Sequence, residues 1–292
     1  MEMTTSKAGQ SKPLAVLTLS MILFGTIGIC RRFIPLPSDA IAFARGIMGG
    51  VFLLLLLKVQ GRRFARETVG RKNFLLLAVS GAMIGLNWIL LFEAYNYTTV
   101  AVATLCYYMQ PVIVMLLSPL LLKEKLVRKQ LICIALSVAG MVLVSGVLDA
   151  GAPQNPKGVV LGLGAAVLYA FIVLMNKLIT GVPAFEKTII QLFSAAAVMV
   201  PYMAVSGTLH TYELSAGGIA LLVTVGIVHT GIAYAMYFGS MEHLPARTCA
   251  LMSYIDPVTA VILSALLLHE AMGPAGIVGT VLIIGSALYS EI

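Results

Sequence analysis

The chain has 292 residues, 60% of them hydrophobic and 11% charged, with a mean hydropathy of +0.99 and a formal net charge of +7. Soluble domains carry about 25% charged residues, so the composition excludes a water-soluble core and places the chain in the membrane class. The basic excess would suggest nucleic acid in a soluble protein; here it gathers in loops, where it reports topology, and no nucleic-acid partner is expected.

Residues 1–12 form a polar tail. Apolar segments follow at about 13–30, 39–57, 74–94, 100–122, 130–147, 158–179, 188–205, 216–241, 247–268 and 274–290. About 20 apolar residues cover the ~30 Å hydrocarbon layer, so the expectation is an all-α integral membrane protein of ten transmembrane helices. The first run resembles a signal peptide, but Arg31-Arg32 follows it instead of a small-x-small cleavage site, so it is read as retained. With the N-terminus inside, fifteen Lys and Arg residues fall on the cytoplasmic side against Arg31, Arg32 and Lys157 outside. That asymmetry predicts a multi-pass protein of the cell (inner) membrane with both termini cytoplasmic.

The ninth segment, LMSYIDPVTAVILSALLLHE (251–270), has a partner 146 residues upstream, LCYYMQPVIVMLLSPLLLKE (105–124). That shift sets Tyr108 on Tyr254, Pro111 on Pro257, Glu124 on Glu270, Gly85 on Gly231, Trp88 on Tyr234, Phe92 on Phe238 and Arg45 on Gln191. The first pair of segments needs a shift of 145, which sets Phe24 on Tyr169 and Arg32 on Lys177. The chain therefore divides into a tail (1–12), a first repeat (13–147, helices 1–5), a linker loop (148–157) and a second repeat (158–292, helices 6–10). Five helices per half make the repeats inverted. The loops agree: the basic loop 58–72 corresponds to SGTLHTYELSAGG, which has no Lys or Arg. Inverted repeats of this kind place two related gates around a shared midplane cavity, as alternating access requires.

Three constellations carry candidate chemistry. In the ninth segment Cys249, Ser253 and Asp256 share one helical stripe, and His229 lies at similar depth in the eighth. Their counterparts are Gln110 for Asp256 and Met83 for His229, so the ionisable pair belongs to the second half. Either Asp256 with His229 binds substrate or handles a coupling proton, or Asp256 satisfies backbone groups loosened by Pro257 and His229 is a packed histidine. Arg45 and Glu93 form the second. Both are charged in one half and replaced by Gln191 and Gly239 in the other, which suggests an ion pair closing the outer gate; the alternative is that Arg45 snorkels and Glu93 marks a helix end. The third is aromatic. Tyr107, Tyr108, Tyr169 and Tyr254 lie near helix centres, where a phenol needs a partner, so cavity lining is favoured over lipid-facing or core packing. Phe24, Trp88 and Phe92 are read as packing residues. Such a wall suits an amphiphilic organic solute better than a bare inorganic ion. The four cysteines have no paired spacing and are read as packing residues. Phosphate-loop, HExxH and nucleophile-elbow motifs are missing, so neither enzyme chemistry nor a metal or other cofactor is expected.

The run TGIAYAMYFGSMEHLPARTCALMSYIDPVTAVILSALLLHEAMGPAGIVGTVLIIGSALY and its first-half partner LNWILLFEAYNYTTVAVATLCYYMQPVIVMLLSPLLLKE closely resemble the EamA repeat of the drug/metabolite transporter superfamily. The mid-helix Pro, the trailing Glu of helices 4 and 9 and the Gly-rich closing helices carry the likeness. It implies a basket-like ten-helix fold, a central cavity lined mainly by helices 1, 3, 4, 6, 8 and 9, and export of small metabolites such as amino acids. The expected partners are a small-molecule substrate, membrane lipid and, as candidate coupling ion, protons, with no obligatory protein partner. The candidate substrate-binding residues are Tyr107, Tyr108, Gln110, Tyr169, His229, Ser253, Tyr254 and Asp256. Two alternatives stand beside this reading: a proton-coupled exporter of organic cations or drugs, and an intramembrane enzyme or receptor.

Overall fold

The structure, a computed structural model, describes residues 7–62, 64, 66–121, 128–144, 155–210, 212–241, 243–244, 252–270 and 272–291. The first six residues, most of the linker loop, Glu124, Arg247 and Cys249 lie outside them. Every regular element among the described residues is helical: α1 (Lys7–Gly25), α2 (Ile27–Arg32), α3 (Ser38–Val59), α4 (Arg66–Tyr97), α5 (Val100–Tyr107), α6 (Gln110–Leu121), α7 (Arg128–Val144), α8 (Pro156–Leu178), α9 (Ala184–Ser206) and α10 (Ala216–Val223). A π-helical segment (Thr224–Ile232) leads into α11 (Ala233–Met241), and α12 (Ile255–Leu267) and α13 (Pro274–Glu291) close the chain.

Among the described residues, seven helical stretches are long and apolar enough to cross a membrane: Ser11–Arg32, Ser38–Val59, Val69–Tyr97, Val100–Leu117, Pro156–Asn176, Ala184–Ser206 and Ala216–Ser240. Ile255–Leu267 and Pro274–Ser286 are apolar but shorter. The expectation of ten full spans is thus met for seven. The described parts of the fifth, ninth and tenth segments fall short: α7 has 17 residues, and the ninth is described only from Met252.

Local chemistry sets the helix starts. Thr99 Oγ1 accepts from Val102 N (3.1 Å), Asn155 Oδ1 from Lys157 N (3.0 Å) and Ser215 Oγ from Gly218 N (3.1 Å), each satisfying a first-turn amide that the helix leaves orphaned. Pro156 follows its cap at the first helical position, where a missing N–H costs nothing. Gly70 interrupts α4 at φ 62°, a left-handed conformation that a side chain would disfavour.

Helix α4 packs between α8 and α9, α3 against α9 and the π segment, and α1 against α11 and α12. Helix α5 meets α8 and α12, and α7 lies along α13. Two of these packings are exchanged for two others by the repeat shift: α4 on α8 becomes the eighth segment on α1, and α4 on α9 becomes the eighth on α3. At one end of the bundle Thr208, just beyond α9, donates to Asp39 at the start of α3, and Glu270, beyond α12, accepts from Val100 N at the start of α5 (2.9 Å). The core centres on Leu53, Trp88, Phe92, Leu192 and Met199. Large apolar side chains such as Leu55, Val160, Leu266 and Val281 face outward, as lipid contact requires. An apolar groove of about 440 Å³ between α3, α4 and α9 is lined by residues including Leu54, Phe74, Ile190 and Phe193.

Candidate functional site

The site begins with two broken helices. The fourth segment stops at Tyr107 and resumes at Gln110; the ninth turns at Tyr254 and resumes at Ile255. Pro111 and Pro257 cause this, because a proline lacks the amide for the bond to the carbonyl four residues back and its ring crowds that carbonyl. The carbonyls four residues back are those of Tyr107 and Ser253. Tyr108 bridges the two breaks: its hydroxyl lies 2.6 Å from Asp256 Oδ2, to which it donates, and 3.3 Å from the Ser253 oxygen. The rings of Tyr108 and Tyr254, counterparts in sequence, are 6.4 Å apart. Tyr107 stands edge-on to Tyr108 (5.8 Å) and to Tyr169 (5.4 Å). Tyr107, Tyr108, Gln110, Tyr169, Ser253 and Asp256 are half-buried, and Tyr254 and His229 are buried. Helix α1 closes on Asp256 through Gly25, where an added Cβ would meet the Asp256 carbonyl oxygen at 2.6 Å.

The π segment supplies a second polar focus. Its wide turns bring side chains onto carbonyls five residues back: His229 Nδ1 is 3.2 Å from the Thr224 oxygen, and Thr230 Oγ1 donates to the Val225 oxygen (2.9 Å). Such turns recur at functional sites. His229 Nε2 is 2.7 Å from Thr26 Oγ1, in the break between α1 and α2, and Thr26 Oγ1 is 2.7 Å from the Leu23 oxygen. Thr230 also accepts from Arg45 Nε (3.0 Å), and the guanidinium lies over Trp88 (4.1 Å) and Phe92 (5.3 Å).

Two expectations change here. Arg45 and Glu93 form no ion pair. Trp88 and Phe92, four residues apart on α4, face Arg45; Glu93 is turned about 100° away and accepts from Ser38 Oγ (2.7 Å) and Asn96 Nδ2 (3.3 Å). The base near Glu93 is Arg31, which reaches the same Ser38 and Asn96. His229 and Asp256, in turn, are bonded to different partners and not to each other.

An ion pair does close the end of the bundle, between residues that the sequence reading left apart. Arg32 Nη2 donates to Glu270 Oε1 (2.6 Å) and to the Thr98 oxygen (2.9 Å), while Glu270 Oε2 accepts from Val100 N (2.9 Å) and Ser264 Oγ (2.6 Å). One carboxylate thus ties the ends of the first and ninth segments to the start of the fourth. The available signal was opposite charge at the same predicted face of helices 1 and 9. For the π segment and Thr26 the sequence holds no comparable signal.

The EamA-like transporter family model matches this sequence twice, over residues 11–146 and 156–290. The chain belongs to the EamA-like transporter family. It is 27% identical to the uncharacterized transporter YxxF of Bacillus subtilis over 90% of this chain and 85% of that one. It is 30% identical to RarD of Salmonella typhi (81% and 79%) and 26% identical to PecM of Dickeya dadantii (90% and 86%). A chain of known crystal structure aligns with a TM-score of 0.68 over 96% of each chain, at 20% identity, and shares the fold. As an EamA-like protein of the drug/metabolite transporter superfamily, this is a multi-pass membrane transporter and not an enzyme.

Proposed function

We propose that the protein is a secondary transporter that exports a small amphiphilic metabolite, an amino acid or a related compound, by alternating access between two inverted five-helix repeats. The observation that carries this reading is the meeting of the two broken helices at Asp256, Tyr108 and Tyr254, since discontinuous helices at a repeat interface are where such carriers bind. The inversion and the ten-span count are supported by the loop charges and by the neighbouring ends of counterparts, α9 beside the start of α3 and Glu270 beside the start of α5. Tyr107, Tyr108, Gln110, Tyr169, Ser253 and Tyr254 line the binding region with Asp256, and both termini face the cytoplasm across the inner membrane.

His229 and Asp256 handle the coupling proton as separate stations. A neutral imidazole carries one N–H, so with the Thr26 hydroxyl there are two protons for three hydrogen bonds. An imidazolium satisfies all three at once. Closure of the outer end falls to Arg32 and Glu270, with Glu93 held in the neighbouring Arg31 network.

A second reading, export of organic cations, is favoured by one feature: the Asp256 carboxylate sits among aromatic rings, the surroundings that hold ammonium groups. Purified protein in liposomes separates the readings. Amino-acid efflux that accelerates with an imposed pH gradient and is lost in Asp256→Asn supports the first. Efflux of quaternary ammonium compounds alone would favour the second, and no gradient-sensitive flux of either class would sink both.

A further inference from the structure

Arg45 is a fixed, buried cation with an unused edge. It is 4% exposed, its Nε is spent on Thr230, and its guanidinium plane is held over Trp88 and Phe92. Nη1 and Nη2 have no acceptor among the described residues, yet they are not sealed in. Among the described residues, the fully enclosed side-chain atoms without a partner are Arg31 Nε, Glu186 Oε2 and Ser240 Oγ, and neither Nη of Arg45 is one of them. The four N–H bonds of the Arg45 fork therefore border accessible space. Tyr107 and Tyr234 pack against the same core cluster as Trp88 and Phe92, which sets Arg45 beside the tyrosine region.

Burial leaves the edge of the guanidinium poorly solvated and without a protein acceptor, and an incoming carboxylate would satisfy it with two parallel, charge-assisted hydrogen bonds. Stacking on two rings and the Thr230 bond fix the plane beforehand, so little side-chain entropy is lost on binding. The same charge repels a simple amine. We propose that Arg45 is a substrate-binding residue that takes the carboxylate of the transported solute, and thereby selects carboxylate-bearing amphiphiles over their decarboxylated amines. The inference rests on the transport reading and narrows its substrate class.

The test uses the chain's single tryptophan, since Trp88 lies directly beneath Arg45 and reports on its occupancy. Purified full-length protein is titrated with L-phenylalanine, L-leucine, 3-phenylpropionate and phenethylamine while Trp88 emission is followed. The expected result is a saturable change with the carboxylates and at least about tenfold weaker binding of the amine, equivalent to about 1.4 kcal/mol. Arg45→Gln raises the apparent Kd for the carboxylates about tenfold or more. Arg45→Lys, a point charge without the fork, falls between. Thr230→Val keeps the preference for carboxylates with an affinity a few-fold weaker, and guards against misfolding of the Arg45 variants. Equal responses to acid and amine, wild-type affinity in Arg45→Gln, or no saturable response to any carboxylate would overturn the assignment. Flux in liposomes separates it from the transport reading: carboxylate transport unaltered in Arg45→Gln removes the role of Arg45 alone. An intact Trp88 response without flux removes transport and leaves the anion site.

Discussion

The third and eighth segments are counterparts under the 146-residue shift, yet they are built differently. Helix α4 stays α-helical from beyond Gly70 to Tyr97, whereas the eighth segment opens into π turns between Thr224 and Ile232 and there presents His229 and Thr230. Met83 and Ile84 stand at the matching places in α4. The fourth and ninth segments repeat the contrast. Both break before a proline, but only the ninth has a carboxylate at the break, where the fourth has Gln110. The two halves have kept the breaks while their polar chemistry has diverged, with His229 and Asp256 in the second and Arg45 and Glu93 in the first. Two similar halves need not share the work equally.

The sharpest way to break that comparison is to move the charge. Asp256→Asn is expected to lower efflux about tenfold to a hundredfold, because it weakens a charged hydrogen bond of ~1.5–3 kcal/mol, while Gln110→Ala changes it less than about threefold. The double exchange Gln110→Asp with Asp256→Gln tests the symmetry itself. If it restores efflux, either break can carry the carboxylate and the asymmetry is incidental.

Packing should be indifferent to which half is altered. Gly140 on α7 and Gly279 on α13 face each other so closely that a Cβ on either would meet the other's carbonyl oxygen, at 2.7 and 2.5 Å. Gly140→Val and Gly279→Val are each expected to lower stability by about 1–3 kcal/mol, seen as matching drops in Tm. A large difference between the two would mean that α7 and α13 are not equivalent.

Smaller effects follow at the ends. Arg32→Gln should shift the population toward an open outer end by several-fold, since its pair with Glu270 is partly exposed and worth about 1 kcal/mol. Accessibility of an introduced cysteine to an impermeant thiol reagent reads this, and the charge exchange Arg32→Glu with Glu270→Arg should recover part of it. Thr26→Val removes one neutral hydrogen bond to His229 and is expected to slow efflux by about fivefold or less. An unchanged rate there would reduce the π segment to a packing feature.

The sequence made the all-helical membrane class legible because hydrophobic length is a property of the residues themselves. It also located Asp256, Pro257 and the tyrosines, since a carboxylate in an apolar run stands out by type alone. Partners were harder. Opposite charge suggested Arg45 with Glu93, but the 100° step from Phe92 to Glu93 turns the carboxylate to Ser38 and leaves the guanidinium on Trp88. The pair that does form, Arg32 with Glu270, joins residues 238 positions apart. The π turns were illegible because no residue type in TVGIVHTGI marks them; the segment packs closely on α3, with Gly226 against Met48 and Gly231 against Phe52.

Glu270 is a clasp that also finishes a helix. Drawing it away from Arg32 strips the Val100 amide of its acceptor as well, and an orphaned N–H inside a membrane protein costs several kcal/mol unless a water molecule replaces the carboxylate. Parting this end of the bundle therefore couples to its hydration, and a solute that lowers water activity should hold it shut.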